Sequence, residues 1–343
     1  MRTERLLPNQ EGIARAASLL RAGRLVAFAT ETVYGLGTDA TNVEAVSALF
    51  AVKNRPRFNP LICHYASAQA AFADVMAGEL AERLAETFWP GPLTLVLPRR
   101  ESARVVPMVS ANLTTLAVRV PQPLVARALL EAVSVPIAAP SANPSGRVSP
   151  TTAEHVLAEL DQQIAAVLDA GPATIGVEST VLDLTGPKPL LLRPGGVTSE
   201  ALAAVAGALD APPPGSAPHG PGMLASHYAP RLSVRLEART VSGDEALLAF
   251  GPPLPGAGAT FNLSLRGDLA EAAARLFAGL RILDGEGVRL GLARIAVMPV
   301  PGAGLGRAIA DRLARAAAPR TTEPPDGRAP EERASAVRCI ARA

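Results

Sequence analysis

An α/β fold in two parts is predicted by three features of this chain of 343 residues. Helical and strand-like apolar periodicities alternate along most of its length, which favours layered α/β packing. Some strand-like runs follow one another across turns too short for a helical crossover, so the sheet they build must be mixed. A Pro/Gly-rich stretch at 210–222 carries no periodicity and separates two such regions.

Ile13, Ala16, Ala17 and Leu20 recur at helical spacing and predict an opening helix that Gly23 ends. Leu25-Val26-Ala27-Phe28-Ala29 then reads as a buried strand. Further helices are expected at 42–52, 67–88 (with a break at Gly78), 123–133, 151–160 and 198–208. Strands are expected at 60–65, 93–97, 115–120, 135–139, 164–168, 179–184 and 189–193, the last two joined by the tight Gly186-Pro187 turn and therefore antiparallel. Past the break, strands near 232–237, 246–250, 259–263 and 293–298 and helices near 267–280 and 305–317 make a second, smaller α/β unit. The organisation expected is a first α/β domain at 1–208, a Pro/Gly-rich linker at 209–231, an accessory domain at 232–318 and a polar, Pro-bearing disordered tail at 319–343.

Composition narrows the function. A net charge of +2 and 3% aromatic residues argue against a broad nucleic-acid surface, which needs positive charge and stacking rings. Cys63 and Cys339 are the two cysteines, without metal-ligand spacing, and fit a reducing cytoplasm. No run long enough to cross a membrane occurs, and no apolar region follows Met1-Arg2-Thr3-Glu4-Arg5 to make a signal peptide. Neither a P-loop nor a dinucleotide fingerprint is present. Gly302-x-Gly304-x-Gly306 lacks the third glycine at the right spacing and reads as turn chemistry in a Rossmann-like accessory domain.

Chemistry concentrates in a few segments. Lys53-Asn54-Arg55-Pro56-Arg57-Phe58-Asn59-Pro60 puts three cations in a turn after a helix whose core face is Val46, Leu49 and Phe50. Capping of the helix dipole and phosphate binding both account for such a cluster, and the residues alone leave the two readings open. His64 ends the strand that follows, where a hydrogen-bonded core histidine is the commoner finding. Arg119 stands in an alternating strand; pointing inward it would need an anionic partner, for which a substrate carboxylate is suited, and pointing outward it would need none. Ser141 and Asn143 are held between Pro140 and Pro144, with no Gly-x-Ser-x-Gly elbow to make Ser141 a nucleophile.

These segments, together with Thr30-Glu31-Thr32-Val33-Tyr34-Gly35-Leu36-Gly37, Val118-Arg119-Val120-Pro121, Gly176-Val177-Glu178-Ser179-Thr180-Val181 and Leu192-Arg193-Pro194-Gly195, resemble the YrdC-like domain of the threonylcarbamoyl-adenylate synthases. Pro221-Gly222-Met223 followed by His227-Tyr228-Ala229-Pro230 looks like the linker of that family's long form, and the resemblance runs in order from about residue 10 to 318. It implies an N-terminal YrdC-like twisted mixed sheet with flanking helices. It also implies synthesis of threonylcarbamoyl-adenylate from L-threonine, bicarbonate and ATP, with Mg2+ accompanying ATP and no dedicated metal site. The intermediate would serve threonylcarbamoyl-transferase machinery acting on adenosine 37 of tRNA, without direct tRNA binding by this chain.

By the same resemblance Lys53 and Arg55 act in catalysis, and Thr32, His64, Arg119, Ser141 and Ser179 bind threonine. Arg55, Asn59, Thr115, Asn143, Thr151, Arg193 and His227 face ATP, while His227 and Tyr228 belong to a lid closing over the site. Two other functions compete: a nucleic-acid-binding module, which the charge disfavours, and a carbamoyl-adenylate-forming enzyme that uses another amine.

Overall fold

The computed structural model describes residues 2–213 and 227–319. The expected lid residues 221–226 and the expected tail from 320 onward lie outside that range. In the first body the elements run β1 (Glu4–Leu6), α1 (Gln10–Arg21), β2 (Val26–Phe28), β3 (Gly35–Asp39), α2 (Val43–Lys53), β4 (Ile62–His64), α3 (Ala68–Phe72) and α4 (Glu79–Phe88). They continue as β5 (Leu93–Pro98), β6 (Thr115–Arg119), α5 (Leu124–Val133), β7 (Ile137–Ala138), α6 (Ala153–Leu160), β8 (Ala166–Leu168), β9 (Thr180–Asp183), β10 (Leu190–Arg193) and α7 (Ser199–Ala206). The second body holds β11 (Ser233–Arg235), β12 (Glu245–Ala249), β13 (Ala259–Asn262), α8 (Leu269–Leu290), β14 (Arg294–Val297) and α9 (Leu305–Ala317).

Ten strands form one sheet in the order β1-β8-β2-β3-β7-β4-β6-β5-β9-β10. It is mixed: β4 pairs parallel with β6 and β5 with β9, whereas β9 and β10 are antiparallel across the Gly186-Pro187 turn. Strand alternation sorts the core into two layers. Val26 and Phe28 pack with α1 and α5 on one face, while Leu25 and Ala27 join Leu49, Phe50, Leu61 and Leu95 on the other. The second body is a parallel four-stranded sheet, β11-β14-β12-β13, covered by α8 and α9. Among the described residues no helix is long and apolar enough to cross a membrane.

Local chemistry explains the boundaries. Asn9 and Asn42 cap α1 and α2 by accepting from the backbone N–H of Gly12 and Ala45. The region expected as helix 67–88 is two helices, and Gly78 is the N-cap of the second. The structure departs from or adds to these expectations at three places. β1 was not expected, because an edge strand of three residues has too little periodicity to register. Gly35 and Gly37 lie inside β3: a Cβ on Gly37 would stand 2.9 Å from the Phe28 ring and 3.1 Å from Ile137, so glycine is there for packing. Finally α8 runs to Leu290 rather than 280, through Gly279, Gly285 and Gly287. Gly279 sits against the Phe261 ring, where a Cβ would come within 2.6 Å, so tertiary packing overrides poor helix propensity.

Candidate active site

Strand register brings the candidate residues together. His64 on β4 is paired with Arg119 on β6, and an isolated bridge joins Gly35 to Ser141. The cavity at this end of the sheet is lined by Thr32, Arg55, Asn59, His64, Arg119, Ser141, Glu178, Ser179, Arg193, His227 and Tyr228, among others.

Arg119 points inward and is almost wholly buried. Its guanidinium donates to Glu31 Oε1 at 2.7 Å, to Thr32 Oγ1 at 3.0 Å and to the Gly91 carbonyl at 3.2 Å. The anionic partner that an inward Arg119 requires is thus supplied by the protein itself, through Glu31, a residue quoted in the motif but given no role by the sequence reading. Glu31 also accepts from the backbone N–H of Gln122. Thr32 shares a 2.8 Å hydrogen bond with Thr30. Across the cavity the Ser179 hydroxyl lies 2.8 Å from that of Thr94 and accepts from Arg193, which also donates to the Ser179 carbonyl. Arg55 donates to the carbonyls of Asn59 and Pro60, folding the cationic turn back on itself. Burial lowers the Arg55 pKa to about 10, still leaving it charged at neutral pH.

His64 is buried, edge-on to Phe28, and its Nδ1 finds no partner among the described residues. Burial, helped by Arg119, lowers its pKa to about 3. His64 is therefore neutral at physiological pH and presents an imidazole to the cavity. Because the ordinary histidine value is 6.5, the unfolded chain binds the extra proton between pH 6.5 and about 3. The stability tied to neutral His64 is complete above 6.5 and is lost as the pH falls through that window, at up to about 1.4 kcal/mol per pH unit. His155 and His227, lowered by burial to about 4 and about 3, act in the same direction. We expect His64→Gln to flatten the acid limb: the stability gap between parent and variant in urea titrations should narrow from pH 7 to pH 4.5. A gap of constant size would mean that His64 does not titrate on unfolding.

Four expected contacts are not on the cavity wall. Lys53, expected in catalysis, is the last residue of α2 and lies on its buried face; its ammonium donates to the carbonyls of Ser141 and Asn143, behind the turn they form. Burial, reinforced by Arg55, drives its pKa well below the ordinary lysine value. Asn143 spends its amide N–H groups on the carbonyls of Pro144 and Arg147, inside the turn. Thr151 is buried beside His155 Nδ1 at 3.3 Å. Thr115 opens β6 opposite Pro98, at the other end of that strand from Arg119. The two lid residues are also better described as anchored. Tyr228 is buried in the core of the second body, 5.3 Å from the Phe277 ring with the Arg312 guanidinium 5.4 Å away, and the His227 N–H donates to the Arg315 carbonyl.

Sequence reading also passed over Glu178. It reaches the cavity wall, accepts from Ser149 Oγ at 2.6 Å and pairs with Arg312 of the second body at 2.6 Å. Burial pushes its carboxyl up, but Arg312, Arg193 and these hydrogen bonds outweigh it and bring the pKa down to about 2.

A ten-stranded mixed sheet with a polar, guanidinium-rich cavity, completed by residues anchored on a second parallel-sheet domain, defines the two-domain class of YrdC-like α/β enzymes. A family model described as "Telomere recombination" matches residues 18–195, and one described as "Threonylcarbamoyl-AMP synthase, C-terminal domain" matches 197–318. The chain belongs to the threonylcarbamoyl-AMP synthase family. The threonylcarbamoyl-AMP synthase of Pyrococcus abyssi is 42% identical over 326 residues, covering 88% of this chain and 92% of that protein. The Bacillus subtilis enzyme of the same name is 48% identical over 233 residues, covering 66% of this chain and 67% of that protein. The crystal structure of P. abyssi Sua5 complexed with L-threonine superposes with a TM-score of 0.84 at 38% identity, over 92% of this chain and 98% of that one.

Proposed function

We propose that this enzyme joins L-threonine, bicarbonate and ATP into threonylcarbamoyl-adenylate and releases pyrophosphate, providing the intermediate for N6-threonylcarbamoylation of adenosine 37 in tRNA. The observation that carries this reading is the meeting, in one cavity, of small hydroxyls and a neutral histidine with three guanidiniums, two of them buried. Thr32, His64 and Ser179 offer hydrogen bonds suited to a small hydroxylated amino acid. Arg55 and Arg193 offer charge to a polyphosphate. The threonine amine adds to bicarbonate, or to the CO2 left when bicarbonate loses water; a proton and one water are released, and an oxygen of the resulting carbamate attacks the α-phosphorus as pyrophosphate leaves. Little covalent chemistry falls to the protein: the guanidiniums stabilise charge as it moves to the leaving group, and the cavity holds both reactants in line.

Mg2+ enters with ATP in this reading. Among the described residues no group of three or more His, Cys, Asp or Glu side chains is placed to hold a metal, and Glu178 is already committed to Arg312 and Ser149. The phosphates themselves are the natural ligands.

We expect pyrophosphate release to need ATP, threonine and bicarbonate together, with activity falling to background when any one is omitted. Full release without threonine would overturn the reading. Serine turnover matching that of threonine would redirect it to a broader amine specificity.

A further inference from the structure

We propose that Arg312, delivered from the second domain, is a positioning residue for the first domain's cavity: it orients Glu178 and compensates its charge, so that an anionic phosphate can bind beside that carboxylate. The proposal rests on ATP being the substrate, as above.

Arg312 sits on the buried face of α9 among Ala308, Ile309, Leu313 and Ala316, and its side chain is fully buried. A guanidinium there is costly to desolvate, and an apolar residue would fill the position more cheaply. What distinguishes it is where it points. Its Nε donates to Glu178 Oε2 at 2.6 Å, another nitrogen donates to Asp311 at 2.5 Å, and the group lies over the Tyr228 ring. Asp311 is shared with Arg315, whose carbonyl holds the His227 N–H. One turn of α9 thus grips both the Glu178 wall and the His227–Tyr228 edge of the cavity.

The loop that carries Glu178 is seated on the second domain as well. Ile175 and Val177 pack into that domain's core. Gly176 between them has φ +75 and lies against the backbone of α8, where a Cβ would come within 2.5 Å of Ala273 O and Ala274 Cα. The next residue, Ser179, takes the Arg193 guanidinium. Glu178 is a carboxylate on the cavity wall, facing Arg312, Arg193, Ser149, Tyr228 and His227. A bare carboxylate at this place would repel the phosphates that Arg55 and Arg193 attract; the pair with Arg312 removes that repulsion.

The test is ATP affinity of the full chain by titration calorimetry, with the KM for ATP measured alongside. R312M, which keeps bulk but removes charge, should raise the ATP Kd about tenfold or more, by exposing the anion to an uncompensated Glu178. Adding E178Q in the same chain should return the Kd to within about threefold of the parent, since the repulsive charge is then gone. R312K should fall between parent and R312M. An Arg312 that only filled space would give a defect that E178Q does not repair. An R312M chain with unchanged ATP affinity, or a double variant no better than R312M, overturns the proposal. Should R312M fail to fold by circular dichroism, E178Q alone decides: ATP binding at least as tight as the parent's supports the proposal, and clearly weaker binding overturns it. A parent that binds no ATP would overturn the proposed function itself, a different result from an ATP-binding parent whose variants do not differ from it.

Discussion

Arg119→Leu should destabilise the protein by about 3–5 kcal/mol, the cost of leaving a buried carboxylate without its partner. Both side chains of the Arg119–Glu31 pair are almost inaccessible, at 4% and 2% exposure. Leucine would leave Glu31 with only the Gln122 N–H, and would strip Thr32 and the Gly91 carbonyl of their donor. Urea unfolding at pH 7 measures the loss. A second variant separates charge from volume: Glu31→Gln in the Arg119→Leu chain should recover part of the stability, because the buried charge is then removed. If Arg119→Leu cost less than about 1 kcal/mol, the pair would be behaving as a solvated surface bridge, contrary to its burial.

Lys53→Met should lower kcat/KM by about a hundredfold while leaving the chain folded, since displacements of about 1 Å in a positioning group carry penalties of that size. The Lys53 ammonium holds the carbonyls of Ser141 and Asn143 and does not reach the cavity wall. Its loss frees the turn that presents Ser141, while relieving the cost of a buried ammonium. Stability should therefore change much less than activity, and the activity should respond in kcat as well as in the KM values. Steady-state kinetics and thermal melting on the same preparation check this. A variant with normal turnover would show that Pro140 and Pro144 suffice to hold the turn. One whose ATP affinity alone collapsed would restore a direct phosphate role for Lys53.

Both residues were visible in the sequence, but their partners were not. Lys53 continues the helical face of Val46, Leu49 and Phe50 at the i, i+3, i+7 spacing, so its burial was legible from periodicity. In sequence it also clusters with Arg55 and Arg57, a pattern that fits phosphate binding as readily as burial. Arg119 lies in an alternating strand, from which an inward orientation was one of two options; the choice depended on Glu31, 88 residues away. The need for glycine at position 37 was not legible either: only the Phe28 ring facing it reveals a packing role. That Arg193 and Ser179 belong to one site was implied by the family resemblance; what brings them together is the antiparallel β9–β10 pairing, which the short Gly186-Pro187 turn did predict.

Local pattern by itself determined the order and type of most elements, the mixed character of the large sheet, the break between two α/β units and the identity of the motif-bearing loops. These follow from forces that act within a few residues: apolar periodicity, capping side chains and proline's missing donor. Tertiary structure alone decided which motif residues share the cavity and which stand behind it, and that Glu178, taken for part of a strand-leading motif, receives its counter-charge from Arg312, 134 positions later. The reason is electrostatic. A buried charge can be placed wherever folding brings it an opposite partner, and that proximity is set by sheet register and domain docking, neither of which leaves a periodic mark on the chain.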